Sequence, residues 1–113
     1  MKMIVAYVKQ HRLSEVILAL QEIEDISGAS IGEVQGFGRG RAKDAPDRMQ
    51  RDLMSYVPRI RVEVASDDAF VPQVVQAIEN AAHTGLRGDG KIYVLNIEEA
   101  VRISTHEREP GSI

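Results

Sequence analysis

A chain of 113 residues with 27% charged and 43% hydrophobic side chains has the composition of one globular domain, too apolar for a disordered segment and too short for two cores. The net charge of -3 and the sparse aromatics leave neither an electrostatic footprint nor a stacking platform for nucleic acid. Cysteine is absent, which removes disulfides, thiolate metal sites and thiol catalysis and is compatible with a reducing compartment.

The opening MKMIVAYVKQ is too short and too alternating in its apolar run for a signal peptide, and no later run reaches membrane-spanning length, so a soluble, cytoplasmic protein is expected rather than a membrane-embedded one. Met3 to Val8 reads as a strand. Leu13, Val16, Ile17, Leu20 and Ile23 then recur at helical spacing, for a helix starting near Arg12 or Leu13. After the turn-prone Ser27-Gly28, weak alternation from Ala29 to Phe37 predicts a second strand. Gly38 to Ser55 carries glycine, proline and many charges without a period and reads as a long, mobile loop.

Val57 to Val64 alternates again, with Ile60, Val62 and Val64 on one face and Arg59, Arg61 and Glu63 on the other, as a half-buried strand requires. Ser66, Asp67 and Asp68 offer an N-cap for a second helix, with Pro72 in its first turn. The stripe Val71, Val74, Val75, Ile78, Ala81 and Ala82 carries that helix to about His83, before Gly85. Lys91 to Ile97 is the fourth strand, and Glu98 and Glu99 read as the solvated start of a final helical turn rather than an acid–base pair.

An internal repeat underlies this order. LSEVILALQ from Leu13 and VPQVVQAIE from Val71 superpose at one constant offset, which also places Ile4 over Val62 and Ala6 over Val64. The chain is therefore expected to be β-α-β twice over. Two such halves pack most economically as an α+β, ferredoxin-like domain, a four-stranded antiparallel sheet with both helices on one face. The opposite face carries apolar residues such as Val5 and Tyr7. A symmetric oligomer is the expected way to cover it.

The stretch richest in chemistry is TGLRGDGK, Thr84 to Lys91, which places three glycines and a lysine directly before the fourth strand. Glycines at positive φ let backbone N–H groups converge on phosphate oxygens, and Lys91 adds a point charge. Asp89 argues against a simple charge trap and is expected to order the loop by bonding its backbone. The same glycines serve equally well as a tight connector into a strand. His11, His83 and His106 lack the pairing of a helical metal site, so no metal site is expected, and no nucleophile or general base marks an enzyme.

GFGR at Gly36 to Arg39, VPRIRVEV from Val57, TGLRGDGKIYV from Thr84 and EEAVRI from Glu98 resemble, in order and spacing, the PII nitrogen-regulatory signal-transduction family. The resemblance implies a single PII-like domain over residues 1–113, a homotrimer with ATP or ADP held in clefts between subunits, and a T-loop over about residues 38–55 that engages a target transporter or enzyme. It assigns phosphate contacts to Gly88, Asp89, Gly90 and Lys91. Gly38 and Arg39 fall at the triphosphate end, and Gly28, Ser30 and the third strand around Val64 near adenine and ribose. Arg102 reaches in from an adjacent protomer. In the T-loop, Arg41, Lys43, Arg48 and Arg51 form a mixed-charge surface with Asp44, Asp47 and Asp52, expected to meet the target.

The departures from the family pattern fall on its effector positions. Gly40 stands where typical members have a glutamine that serves magnesium and 2-oxoglutarate, and Arg59 replaces the lysine that contacts the 2-oxoglutarate carboxylate. Sensing of 2-oxoglutarate is therefore expected to be weak or lost, while ATP still brings Mg. Ser104 replaces the second arginine of a terminal RxR, which is expected to shrink the preference for ATP over ADP or AMP. Asp52 aligns with the tyrosine that some bacterial members have uridylylated, and Tyr56 sits at the loop base, so that modification is not expected. The rival reading is a ferredoxin-like trimeric scaffold that has lost nucleotide sensing.

Overall fold

The computed structural model describes residues 1–36 and 57–108. Four strands, β1 (Lys2–Val8), β2 (Ser30–Gly36), β3 (Val57–Ser66) and β4 (Gly90–Asn96), form one antiparallel sheet in the order β2-β3-β1-β4. Helices α1 (Leu13–Gln21) and α2 (Val71–Ala82) follow β1 and β3. The expected ferredoxin-like double βαβ is the observed architecture.

The sequence repeat is a repeat in space. Ile4 pairs with Val64 and Ala6 with Val62, with Val5 opposite Glu63 between them, so the two halves exchange places across the central strand pair. Each half leaves its strand by the same device. A 3-10 turn over Gln10–Arg12 is closed by Arg12 N donating to Lys9 O at 3.0 Å, and its counterpart over Asp68–Phe70 by Phe70 N donating to Asp67 O at 3.0 Å. Beyond the helix the halves differ. Ser30 of β2 pairs with Glu63 and Tyr93 of β4 with Val5, so the second half takes a longer path into its last strand, and the glycine loop lies in that path.

Alternation decides which sheet face is dry. Ile4, Ala6 and Val8 of β1 and Ile60, Val62 and Val64 of β3 meet Val16 and Leu20 of α1 and Val74, Ile78 and Ala82 of α2 in one buried core. Each aliphatic side chain of that size contributes about 1.5–3 kcal/mol by leaving water. The helices therefore dock on the face the pattern assigned to them. On the other face Tyr7 and Tyr93 meet edge to face, 6.2 Å between centroids, and the Arg61 guanidinium lies 5.8 Å from the Tyr7 ring centre. Arg61 Nε is 3.3 Å from Glu63 Oε1, close enough for an ion pair but without hydrogen-bond alignment. Tyr93 and Leu95 remain half exposed on that face, whereas Val5 is only 6% exposed.

Three local expectations are corrected. Asp67 and Asp68 make no side-chain cap, because a 3-10 turn intervenes and α2 starts from Phe70 without one; Pro72 does fall in the first turn. The Asp68 carboxylate instead accepts from the Met1 amino group at 2.5 Å, which holds its carboxyl below the ordinary range. Ile23 is buried, but beyond α1, in a turn where its N–H donates to Leu20 O at 3.1 Å. After β4, Glu98 and Glu99 start no helical turn: Val101 bridges to Arg108, Arg102 N donates to Glu107 O at 2.8 Å, and Glu99 pairs with Arg108. Among the described residues no helix is long and apolar enough to cross a membrane.

Candidate functional site

The loop between α2 and β4 is built around one carboxylate. After Ala82 the chain turns extended at His83, and Asp89, five residues past Thr84, reaches back to hold the start of its own loop. Its Oδ2 accepts from Thr84 N at 2.8 Å and Gly85 N at 3.1 Å, its Oδ1 accepts from the Thr84 hydroxyl, and Leu86 N donates to Thr84 Oγ1 at 3.1 Å. Lys9 Nζ lies 3.1 Å from Asp89 Oδ1 and donates to Thr84 Oγ1 at 3.3 Å, and His83 Nδ1 is 3.6 Å from Oδ2. The Thr84 hydroxyl and N–H are the main reasons that the Asp89 carboxyl titrates far below the ordinary carboxylate range, followed by Lys9 and Gly85. The expected role of Asp89 in ordering the loop is what the geometry displays.

Two glycines make this path possible. Gly88 adopts φ +86°, and a methyl group built on it would sit 3.2 Å from Arg59 Nη2. Gly90 adopts φ +109°, and its Cβ would lie 1.7 Å from the Tyr7 carbonyl oxygen. The backbone of β4 thus enters the sheet closer to β1 than any side chain permits.

The loop opens onto a cleft of about 700 Å³ on the helix-free face, lined among others by Tyr7, Gln35, Gly36, Arg59, Lys91 and Tyr93. Gly36 ends β2 and Val57 begins β3, and they are paired in register. The two roots of segment 38–55 therefore stand at the same end of the sheet as Gly88, Asp89, Gly90 and Lys91. Gly38, Arg39, Gly40, Arg41, Lys43, Arg48, Arg51, Asp52 and Tyr56 lie outside the described residues.

The remaining predicted residues stand elsewhere. Ser30 opens β2 opposite Glu63, and Gly28 precedes it at φ +152°. The pairing of β2 with β3 begins only there, so among the described residues β3 runs on to Ser66 with no strand beside it on that edge. Val64 itself is only 1% exposed, which leaves Glu63 and Ala65 as the accessible positions of that stretch. Arg102 and Ser104 are exposed in the turn closed by the Val101–Arg108 bridge. Since β2 and β4 are the two outer strands, their facing edges are three spacings apart, about 14 Å across the sheet. The chain sets the glycine loop and the roots of segment 38–55 at one end of the sheet, and Gly28 and Ser30 at the other end of the β2 edge.

Sequence reading missed Lys9 and Thr84 as parts of the loop. Thr84 stood inside the quoted motif, but nothing local marked Lys9, whose partner is 80 positions away, Lys9 to Asp89. The register of β1 against β4, with Val8 opposite Gly90, is what brings them together.

The family described as Nitrogen regulatory protein P-II matches residues 1–107. Proteins of that name from Azospirillum brasilense and Rhodospirillum rubrum are 41% and 42% identical over 113 residues, all of both chains. The one from Haemophilus influenzae is 39% identical over the same span. The chain belongs to the PII family. Membership makes it a nitrogen-regulatory type of signal-transduction protein on a ferredoxin-like fold.

Proposed function

We propose that this PII protein is a cytoplasmic, non-enzymatic regulator that binds ATP or ADP in clefts between the protomers of a homotrimer and acts on a target transporter or enzyme through a T-loop, residues 38–55, of its single domain. The observation that carries the reading is that the clasped loop Gly88-Asp89-Gly90-Lys91 and Gly36, at one root of that segment, line the same cleft. A phosphate bound there would share its cleft with the residue that leads into the loop that meets the target, which is the route proposed for coupling occupancy to loop conformation.

The separation of the two residue groups supports a site between subunits. A nucleotide with its phosphates on Gly88, Gly90 and Lys91 is out of reach of Gly28 and Ser30 of the same chain, whereas a second protomer set edge to edge supplies them. In this arrangement Gly28, Ser30 and the β3 edge around Val64, through Glu63 and Ala65, meet adenine and ribose. Gly38 and Arg39 meet the triphosphate end, Arg102 of an adjacent protomer adds a guanidinium fork, and Mg accompanies ATP. Arg41, Lys43, Arg48 and Arg51 present basic charge to the target. With Gly40 offering no side-chain oxygen and Arg59 in place of lysine, 2-oxoglutarate sensing is weak or lost.

Calorimetric titration with ATP, ADP and AMP, with and without Mg and 2-oxoglutarate, tests this. Wild-type protein is expected to bind ATP or ADP at micromolar concentration, and Lys91→Ala to weaken binding by about 10- to 100-fold, the equivalent of losing one hydrogen bond to a charged group. Micromolar 2-oxoglutarate affinity in the presence of MgATP would refute the effector assignment. Failure to bind any nucleotide would leave a trimeric scaffold. In the same titration Ser104→Arg is expected to raise the ratio of ATP to AMP affinity, since it restores a cation at the exposed turn beside Arg102. Equal ratios in variant and wild type would remove Ser104 from the account.

A further inference from the structure

We infer that Lys9 is a positioning residue of the anion loop: from the end of the central strand β1 it neutralises Asp89, and thereby lets a loop built around a carboxylate accept a polyanion. The inference rests on the nucleotide reading above and adds a residue to it. An acid inside a phosphate cradle is a liability, because an ionised carboxylate repels the ligand it helps to seat. Protonation is not the remedy, since the bonds from Thr84 favour the charged form. Pairing is the remedy the geometry displays.

Lys9 is placed for that task and poorly placed for direct contact with ligand. Its side chain is 15% exposed and that of Asp89 is 23% exposed. Its ammonium bridges Asp89 Oδ1 and Thr84 Oγ1, and its Cε would be 3.9 Å from a methyl group on Gly88. The stem thus runs beneath the loop, and the charge joins the loop's first residue to its carboxylate. Lys9 directly follows Val8, which pairs with Ile60 on one side and Gly90 on the other. The loop, which lies at an edge strand, is tied through Lys9 to the middle of the sheet. The second half of the repeat has Asp67 at the equivalent 3-10 turn, so the basic residue is found only in the half that faces the glycine loop.

The test titrates ATP and AMP into wild type, Lys9→Met, Lys9→Arg, Asp89→Asn and the Lys9→Met/Asp89→Asn double variant, each checked for an unchanged circular dichroism spectrum. Lys9→Met is expected to weaken ATP about tenfold or more and AMP by a smaller factor, because repulsion by an uncompensated carboxylate grows with phosphate charge. Lys9→Arg is expected to recover most of the loss. In the Asp89→Asn background, Lys9→Met should have little further effect, the mark of two residues acting as one unit. If wild type binds ATP and Lys9→Met binds it equally well, or if ATP and AMP weaken equally without coupling to Asp89, the inference falls and the nucleotide reading stands. If wild type binds neither nucleotide, the nucleotide reading falls first. Should Lys9→Met not fold, Lys9→Gln takes its place: a larger loss of affinity for ATP than for AMP supports the inference, and equal losses overturn it.

Discussion

Gly90→Ala is expected to lower the thermal midpoint by about 10 °C or more and to abolish nucleotide binding. Two costs add at this position. An alanine at φ +109° occupies backbone space that L side chains avoid, and its Cβ would stand 1.7 Å from the Tyr7 carbonyl oxygen and 2.9 Å from the carbonyl carbon. Neither neighbour can move aside cheaply, since Tyr7 belongs to β1, held by β3 on one flank and β4 on the other. Relief requires β4 to peel from β1 at its first residue, which drags Gly88 and Asp89 out of the clasp. Gly32→Ala is the comparison: within one chain nothing lies within 4 Å of its Cβ and its φ is not positive, so its midpoint is expected to fall far less than that of Gly90→Ala at equal protein concentration. Melting followed by circular dichroism reads both. A Gly90→Ala midpoint equal to wild type would show that the loop can enter the sheet by another path.

The contrast between these glycines illustrates what the sequence made legible. Periodicity located the core well: Ile60, Val62 and Val64 are buried while Arg59, Arg61 and Glu63 are not, and the stripes Val16 and Leu20, Val74, Ile78 and Ala82 point inward as the spacing required. Those features depend on residues a few positions apart. The same pattern gave no sign that Gly90 differs from Gly32. That distinction arises from the pairing of β4 with β1, a contact between distant segments.

Two of the misreadings turn on partners that the local pattern did not contain. Asp68 looked like a helix cap because Ser66, Asp67 and Asp68 precede an amphipathic stripe; the amino group of Met1, adjacent only after β1 pairs with β3, takes its carboxylate instead. Glu99 read as the start of a helical turn until Arg108 returned to it across the Val101 bridge. Lys9 was unremarked until the sheet register set it against Asp89. At the candidate site, the glycines and Asp89 were legible because their chemistry is local to eight residues, Thr84 to Lys91. The placement of Gly28 and Ser30 by a different outer strand from the glycine loop was not, because it follows from strand order.

Removing the Asp89 carboxylate by Asp89→Ala puts two opposing effects against each other, and loop order is expected to win. Electrostatics alone says that deleting a negative charge beside bound phosphates should tighten ATP. That gain is small in this protein, since Lys9 at 3.1 Å already compensates the charge. The loss is larger: Thr84 N, Gly85 N and the Thr84 hydroxyl surrender their common acceptor, and three positive-φ glycines, Gly85, Gly88 and Gly90, regain freedom that binding must remove again. ATP affinity is therefore expected to fall about tenfold or more, with faster hydrogen exchange at Thr84 and Gly85 and little change in the exchange of the core strands. The pH dependence arises from the same bonds. The Asp89 carboxyl is depressed below its unfolded value of 3.8, so its contribution is fully present above that value and lost only as pH falls through the lower folded one. Wild-type protection at Thr84 and Gly85 should hold constant from pH 7 to about pH 4 and decline below it. Asp89→Ala should show neither the protection nor the decline. Tighter ATP binding by Asp89→Ala would mean that the loop keeps its shape without the carboxylate, and that charge, not order, governs the cradle.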